Sequence, residues 1–181
     1  MLKKFFTLLV SIIFTTAFSV NIYARSLAEA PLKDLQLKSE AYRNINHYSI
    51  QGSPVIKVHD GMIDLSGHFK DQKQLQYAVS IVQSVPKVKD VQLINITLDD
   101  SKVINPDAIL ASKVLGKIAQ IKEYNFSNHK PEIQVSSLNS LIFINGKVDS
   151  LQTAQHIVSE AAKVKGVKFV RSNIHGFPEN P

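Results

Sequence analysis

The sequence predicts an α+β protein made of two tandem αββαβ domains, each a three-stranded mixed sheet packed by two helices. Three observations predict it. The first is an internal repeat: Leu65-Ser66-Gly67-His68-Phe69 recurs as Ile144-Asn145-Gly146-Lys147-Val148, 79 residues later, and the same offset carries Val88 onto Val167 and Val91 onto Val170. The second is periodicity, because each copy places two short alternating runs before a run of helical spacing and then a last Val-rich strand. The third is composition: 44% hydrophobic and 20% charged residues in 181 is ordinary for a globular chain, and seven Gly and seven Pro leave no room for a low-complexity array.

Residues 1–24 precede the repeat. Lys3-Lys4, an apolar run from Phe5 to Val20 and the close Ile22-Tyr23-Ala24 follow the order of a secretory signal peptide. Cleavage is expected after Ala24, with Ala28 as the second choice and an uncleaved membrane anchor as the alternative. Either outcome implies export. Without residues 1–24 the chain keeps 19 basic and 15 acidic residues, a net charge of +4 against +6 for the whole. The pI of 9.4 is spread over many segments with no basic block, so no nucleic-acid partner is expected.

Domain 1 is expected over 31–97. A first helix near Leu32 to Ile45 carries Leu32, Leu35, Tyr42 and Ile45 on its apolar stripe. Strands Val55 to His59 and Met62 to Phe69 flank Asp60-Gly61, a two-residue hairpin signal. Asp71, with Gln74 three residues on, caps a helix whose apolar positions are Leu75, Ala78, Val79, Val82 and Val85, and Pro86 stops it. Val88 to Ile96 follows as a strand, and a helix between it and the previous strand implies a parallel right-handed crossover. A linker at 98–104 leads to domain 2 over 105–176, and 177–181 is a tail.

In domain 2, Asn105 caps a helix with Pro106 at its first position and Leu110, Ala111, Val114, Leu115 and Ile118 along one face. The second helix starts at Ser150 and is expected to bury Leu151, Ala154, Ile157, Val158 and Ala161, with Gly166 ending it. Ile56 and Val58 match Ile133 and Val135 at an offset of 77, which places a length change in the hairpin, between Asp60-Gly61 and the longer Ser136 to Asn139. Gly67 and Gly146 share the parity of the inward residues of their strands, so a helix crossing the sheet is expected close to each.

These residues carry a family resemblance. A β-hairpin ending in apolar-x-Gly-x-apolar, a polar-capped helix and Val-x-x-Val opening a last strand is similar to the BON domain of osmotically induced periplasmic proteins and dual-domain outer-membrane lipoproteins. Copy one supplies Asp60 to Gly67 and Val88-Lys89-Asp90-Val91; copy two supplies Ile142 to Val148 and Gly166 to Val170 but lacks the Asp-Gly turn. The resemblance implies a non-enzymatic envelope protein that contacts phospholipid or other envelope proteins. Cys is absent, which excludes a lipidated cysteine, disulfides, thiolate metal sites and a Cys nucleophile, and points to the soluble periplasmic branch, peripheral at the outer membrane at most.

Chemistry is sparse elsewhere. Six histidines lack metal-ligand spacing, and there is no phosphate loop or nucleophile elbow, so neither an enzyme nor a metal or other cofactor is expected. Binding has better candidates. Residues 105–176 carry nine basic and five acidic side chains against eight and six in 31–97. Lys163, Lys165, Lys168 and Arg171 cluster at the end of the second helix and in the last strand, while Lys113 and Lys117, with Ile109 and Gly116, lie off the apolar stripe of the first. This set is the expected contact for anionic phospholipid or a protein partner. Leu141, Phe143 and Phe169 occupy the outer sheet face where copy one has Asp64 and Asp90, and such a face calls for a cover: the other domain, a partner or self-association. The reading is a periplasmic dual-BON protein of envelope integrity or stress response that associates with anionic phospholipid, and the alternative is a periplasmic chaperone or a structural component of a secretion complex.

Overall fold

Two tight turns set the register of the whole molecule. The structure, a computed structural model, describes residues 32–100, 102–121 and 133–176; the expected signal peptide lies outside them. Asp60 and Gly61 both adopt positive φ, 52° and 76°, the twist that a two-residue hairpin needs. They join β1 (Gly52–His59) to β2 (Met62–Phe69), with Ile56 opposite Leu65. Asn139 and Ser140 do the same, at 53° and 68°, between β4 (Gln134–Leu138) and β5 (Leu141–Lys147).

The second turn corrects the repeat. It is as short as the first, and Val135 opposite Ile144 is the counterpart of Ile56 opposite Leu65, so the 79-residue offset continues through β4. The 77-residue match was a slip of two, which keeps side-chain parity and so looks identical in sequence. The length change lies earlier, between the first helix and the first strand of each copy.

Helix α1 is described over 32–47, and α2 (Gln72–Gln83) connects β2 to the parallel β3 (Asp90–Leu98). In the second copy α3 (Pro106–Ala119) leads, and α4 (Leu151–Ala162) connects β5 to the parallel β6 (Phe169–His175). The sheets are ordered β1-β2-β3 and β4-β5-β6, so each copy is the expected αββαβ unit. Asp71, Asn105 and Ser150 cap their helices by accepting backbone N–H groups of the first turn.

The cores hold most of the expected residues. Ile56, Ile63, Leu65 and Phe69 pack against Leu75, Ala78, Val79, Val82 and Val85 in the first, and Ile142 and Ile144 pack against Val114, Ile118, Ile157 and Ala161 in the second. Two helices differ from expectation. The buried stripe of α1 is Leu37, Ala41 and Ile45, with Tyr42 beside it receiving the Ile56 N–H on its hydroxyl at 2.9 Å, while Leu32 and Leu35 face solvent. Leu151, expected inside, is exposed at the first position of α4.

Gly67 also differs. It is half-buried in a β-bulge at φ 108°, and what an added Cβ would meet is the Ser53 carbonyl of the neighbouring strand, not a helix. Gly146, likewise half-buried, has φ 156°.

Candidate functional site

Helix α3 carries two buried faces. Leu110, Val114 and Ile118 pack on its own sheet, as the counterparts of Leu37, Ala41 and Ile45 do on α1. Ile109, Ser112 and Gly116 form a second buried stripe at helical spacing, and it points at domain 1. Ile109 is 7% exposed and belongs to the core of domain 1, with Ile104 and Leu93 around it. At Gly116 the backbone of α2 comes so close that a Cβ would lie 2.5 Å from the Ser80 carbonyl oxygen and 2.6 Å from the Gln83 Cβ. The glycine is the condition for this helix crossing.

Polar groups complete the seam. Lys113 Nζ lies 2.8 Å from Asp90 Oδ1, and both side chains are largely shielded. Gln120, the C-cap of α3, donates its side-chain N–H groups to the Gln83 carbonyl and to those of Val85 and Val88 at 3.1 and 3.2 Å. At the other end the Asn105 N–H donates to Gln72 Oε1 at 3.2 Å. Gln83 is buried and donates to the Val88 carbonyl, while its Oε1 has no partner.

The expected binding residues therefore separate. Ile109 and Lys113 belong to the seam and do not flank a solvated helix. Lys113→Glu would set a like charge against Asp90 in a shielded place, so this lysine supports the fold and is not a free contact for phospholipid. Lys117 turns the other way, 3.7 Å from Glu160 on α4 and hydrogen-bonded to Gln120 at 3.1 Å. Glu160 also takes Lys163, and these bonds hold its carboxyl below the ordinary carboxylate range, against the opposing effect of burial. Lys165, Lys168 and Arg171 are exposed around the start of β6, as is Lys163.

The outer face of the second sheet is open. Leu138, Leu141 and Phe169 stand in one row across β4, β5 and β6, and Phe143 follows Leu141 opposite Arg171. Phe169 is 62% exposed and Leu138 61%, so the other domain does not cover this face as expected. Its counterpart in domain 1 is the reverse: Asp90, expected to face outward, is 6% exposed beneath Lys113.

One device escaped sequence reading. Asp34 accepts the N–H groups of Asp60 and Gly61 at 2.8 and 3.1 Å, tying α1 to its hairpin turn. Asp107 accepts those of Asn139 and Ser140 at 2.7 and 3.0 Å and the Ser137 hydroxyl at 2.6 Å, and the serine bond first, then the two backbone bonds, lower its pKa. The signal was an acid in the first turn of both leading helices. Beside each acid lies a cavity of matching position: about 330 Å³ at Asp34, Leu37, Glu40 and Gly61, and about 570 Å³ at Asp107, Leu110, Lys113 and Ser140, the latter walled also by Leu93 of domain 1 and Ile104 of the linker.

Among the described residues no cluster of His, Asp or Glu is placed to hold a metal, and no helix is long and apolar enough to cross a membrane. His68 bonds Asp99 at 2.7 Å and His156 approaches Glu160 at 3.8 Å. A search of curated protein sequences finds no match. Among solved structures the chain is similar to two of CdsD, a structural protein of the type III secretion system of Chlamydia trachomatis. One, its C-terminal domain, is 14% identical with 68% of this chain and 57% of that one covered; the other is 13% identical with 69% and 54% covered, and the TM-score is 0.32 for both. The chain thus spans little more than half the length of each. The BON domain profile matches twice, over 36–97 and 106–175. Both matches fall on the two αββαβ units, and the chain belongs to the BON domain family.

Proposed function

We propose that the chain is an exported, non-enzymatic envelope protein that associates with anionic phospholipid through the second domain. BON domains are binding modules, and the observation that carries the reading is the row of exposed Leu138, half-buried Leu141 and exposed Phe169 with Lys165, Lys168 and Arg171 at its side. Each basic group near an anionic surface contributes about 1 kcal/mol, and partial burial of a large apolar side chain adds about 1–2 kcal/mol. Their sum describes a weak, reversible, salt-sensitive attachment. The surface differs from the one expected in sequence, since the α3 lysines are already engaged.

Co-sedimentation with phosphatidylglycerol vesicles tests this. Binding is expected at low salt, with loss in high salt, on phosphatidylcholine, or after Phe169→Ser with Arg171→Glu. Equal binding to both lipids, or indifference to the double change, overturns it. A second reading, a protein-binding module, is supported by the bare outward side of α4.

A further inference from the structure

We infer that the free edge of β6 takes up an extended acidic segment of another protein as an antiparallel fourth strand. The four sheet edges are not alike. On β1 the Ile56 N–H is taken by the Tyr42 hydroxyl at 2.9 Å, so the even-numbered residues face outward there, and Pro54, two residues back, has no N–H to offer. β3 starts beneath α3, with Asp90 held by Lys113, and then carries an extra residue opposite Ser66, where Asn95 takes φ 51°. β4 is five residues long and is tied to α3 through Ser137 and Asp107. Each of these devices blunts an edge. β6 has none of them: it runs seven residues, Phe169–His175, in unbroken register with β5, without proline, glycine or positive φ.

The register fixes which groups are free. The His175 carbonyl accepts the Val148 N–H, so the odd-numbered residues of β6 face β5, and Val170, Ser172 and Ile174 turn their N–H and C=O groups to the open side. No other described residue bonds them. An antiparallel strand centred on Ser172 makes about six backbone hydrogen bonds there. Beneath the edge, Leu151, Val158 and Ala162 share the flank of α4 turned away from Glu160 and α3, and Val170 and Ile174 border it. The inward side chains of an added strand meet this apolar floor. In domain 1 the same place is filled by α3, with Ile109 beside Leu93. A bulged edge accepts a helix; a straight one can pair.

Charge names the occupant. β4, β5 and β6 contain no acidic residue, whereas β2 and β3 contain Asp64 and Asp90. Exposed Lys168 precedes β6, and exposed Arg171 stands on its outer side. A second β6 would bring the Arg171 of both copies to one side of the junction, so a segment of opposite charge is favoured over self-pairing. The fitting segment alternates, with apolar side chains toward α4 and acidic ones toward Arg171 and Lys168. Strand addition rests on the protein-binding reading of domain 2 and is separate from lipid attachment.

Protein recovered from cells expressing the whole chain is titrated, without lipid, with a capped seven-residue peptide that alternates glutamate and valine. Binding is expected at about 100 μM, the range of a weak contact. Lysine in place of glutamate should lower affinity about tenfold, and Arg171→Glu should remove that preference. Methylating the valine amide nitrogens, which point at β6, should cost about tenfold or more, while methylating those of glutamate should change affinity less than about twofold. Amide exchange at Val170, Ser172 and Ile174 should be fast in the free protein and slow with peptide, with no change at Arg171 and Asn173. Ser172→Pro, which gives β6 the device that β1 has in Pro54, should abolish peptide binding and spare vesicle attachment, because Phe169 and the basic groups remain. Peptide binding that is indifferent to which amides are methylated overturns strand addition and leaves the protein-binding reading standing. Protection of the Val170, Ser172 and Ile174 amides before peptide is added, or no binding of any of these peptides, overturns it outright.

Discussion

The outward side of α2 and the outward side of α4 have the same backbone and opposite circumstances. On α2, Gln72, Ser80 and Gln83 lie under α3, and the strand that follows begins with the shielded Asp90. On α4, the equivalent Leu151, Ser159 and Ala162 face solvent, and the strand that follows begins with the exposed Phe169. The covered face is the more polar and the bare one the more apolar. Hydrophobicity therefore does not mark which face is buried within the chain; complementarity does. A glutamine facing a helix end finds carbonyls to bond, and an aspartate beneath a lysine is paired, so burial leaves few groups unsatisfied.

The largest way to break the comparison is at Asp90. Asp90→Ala leaves Lys113 shielded and unpaired, with an expected loss of about 3 kcal/mol in urea unfolding, while Asp90→Leu with Lys113→Met recovers most of it. Phe169→Ala, the same position in the bare copy, should stay within about 0.5 kcal/mol. Equal effects at the two sites would mean that α3 does not hold the two domains as described.

Next comes the apolar part of the seam. Ile109→Ala should cost about 2–4 kcal/mol, because it opens a cavity in the core of domain 1 from a residue of domain 2. Its counterpart Gln36→Ala should cost less than about 0.5 kcal/mol. A smaller effect is expected of Gly116→Ala, where the helix gains about 1 kcal/mol in propensity but the methyl meets the Ser80 carbonyl, an overpacking penalty of about 1–3 kcal/mol. Calorimetry should then resolve two thermal transitions in place of one, with no such change for Arg43→Ala.

The smallest effect sharpens the comparison by pH. Asp107 is held below its ordinary value of 3.8 by the Ser137 hydroxyl and the two turn N–H groups. A depressed carboxylate contributes stability that is complete above the unfolded pKa and is lost as pH falls through the folded one. Acid titration followed by β4–β5 amide exchange should therefore show the turn of domain 2 loosening below about pH 4, and Asp107→Asn should flatten that dependence. Glu160, lowered mainly by Lys163, adds a loss of the same sign in the α3–α4 contact.

Much of each unit was legible in the sequence because its determinants are local. The caps Asp71, Asn105 and Ser150, the positive-φ pair Asp60-Gly61 and the stripes Leu75 to Val85 and Leu110 to Ile118 need only neighbouring residues to act. The candidate site was legible in composition and not in place. Lys165, Lys168 and Arg171 were expected at the surface and are exposed, whereas Phe169 was expected under a cover and is open, and Lys113 and Ile109 were assigned to solvent although a second stripe with Gly116 was visible on the same helix.

The sequence by itself determined the two αββαβ units, their caps, the parallel crossovers and most core residues, because hydrophobic period and turn chemistry act over a few residues. Only the tertiary structure decided that the hairpins are equally long, that Leu37 and Ala41 rather than Leu32 and Leu35 face the core, and that α3 is buried on both sides. A two-residue slip in a strand preserves its pattern, and a helix with two stripes does not say which one meets its own sheet. The fate of Asp90 and Phe169 shows the same limit. Whether a side chain at one position is a shielded ion-pair partner or an open aromatic depends on a helix some twenty residues further along the chain, and packing at that range leaves no period to read.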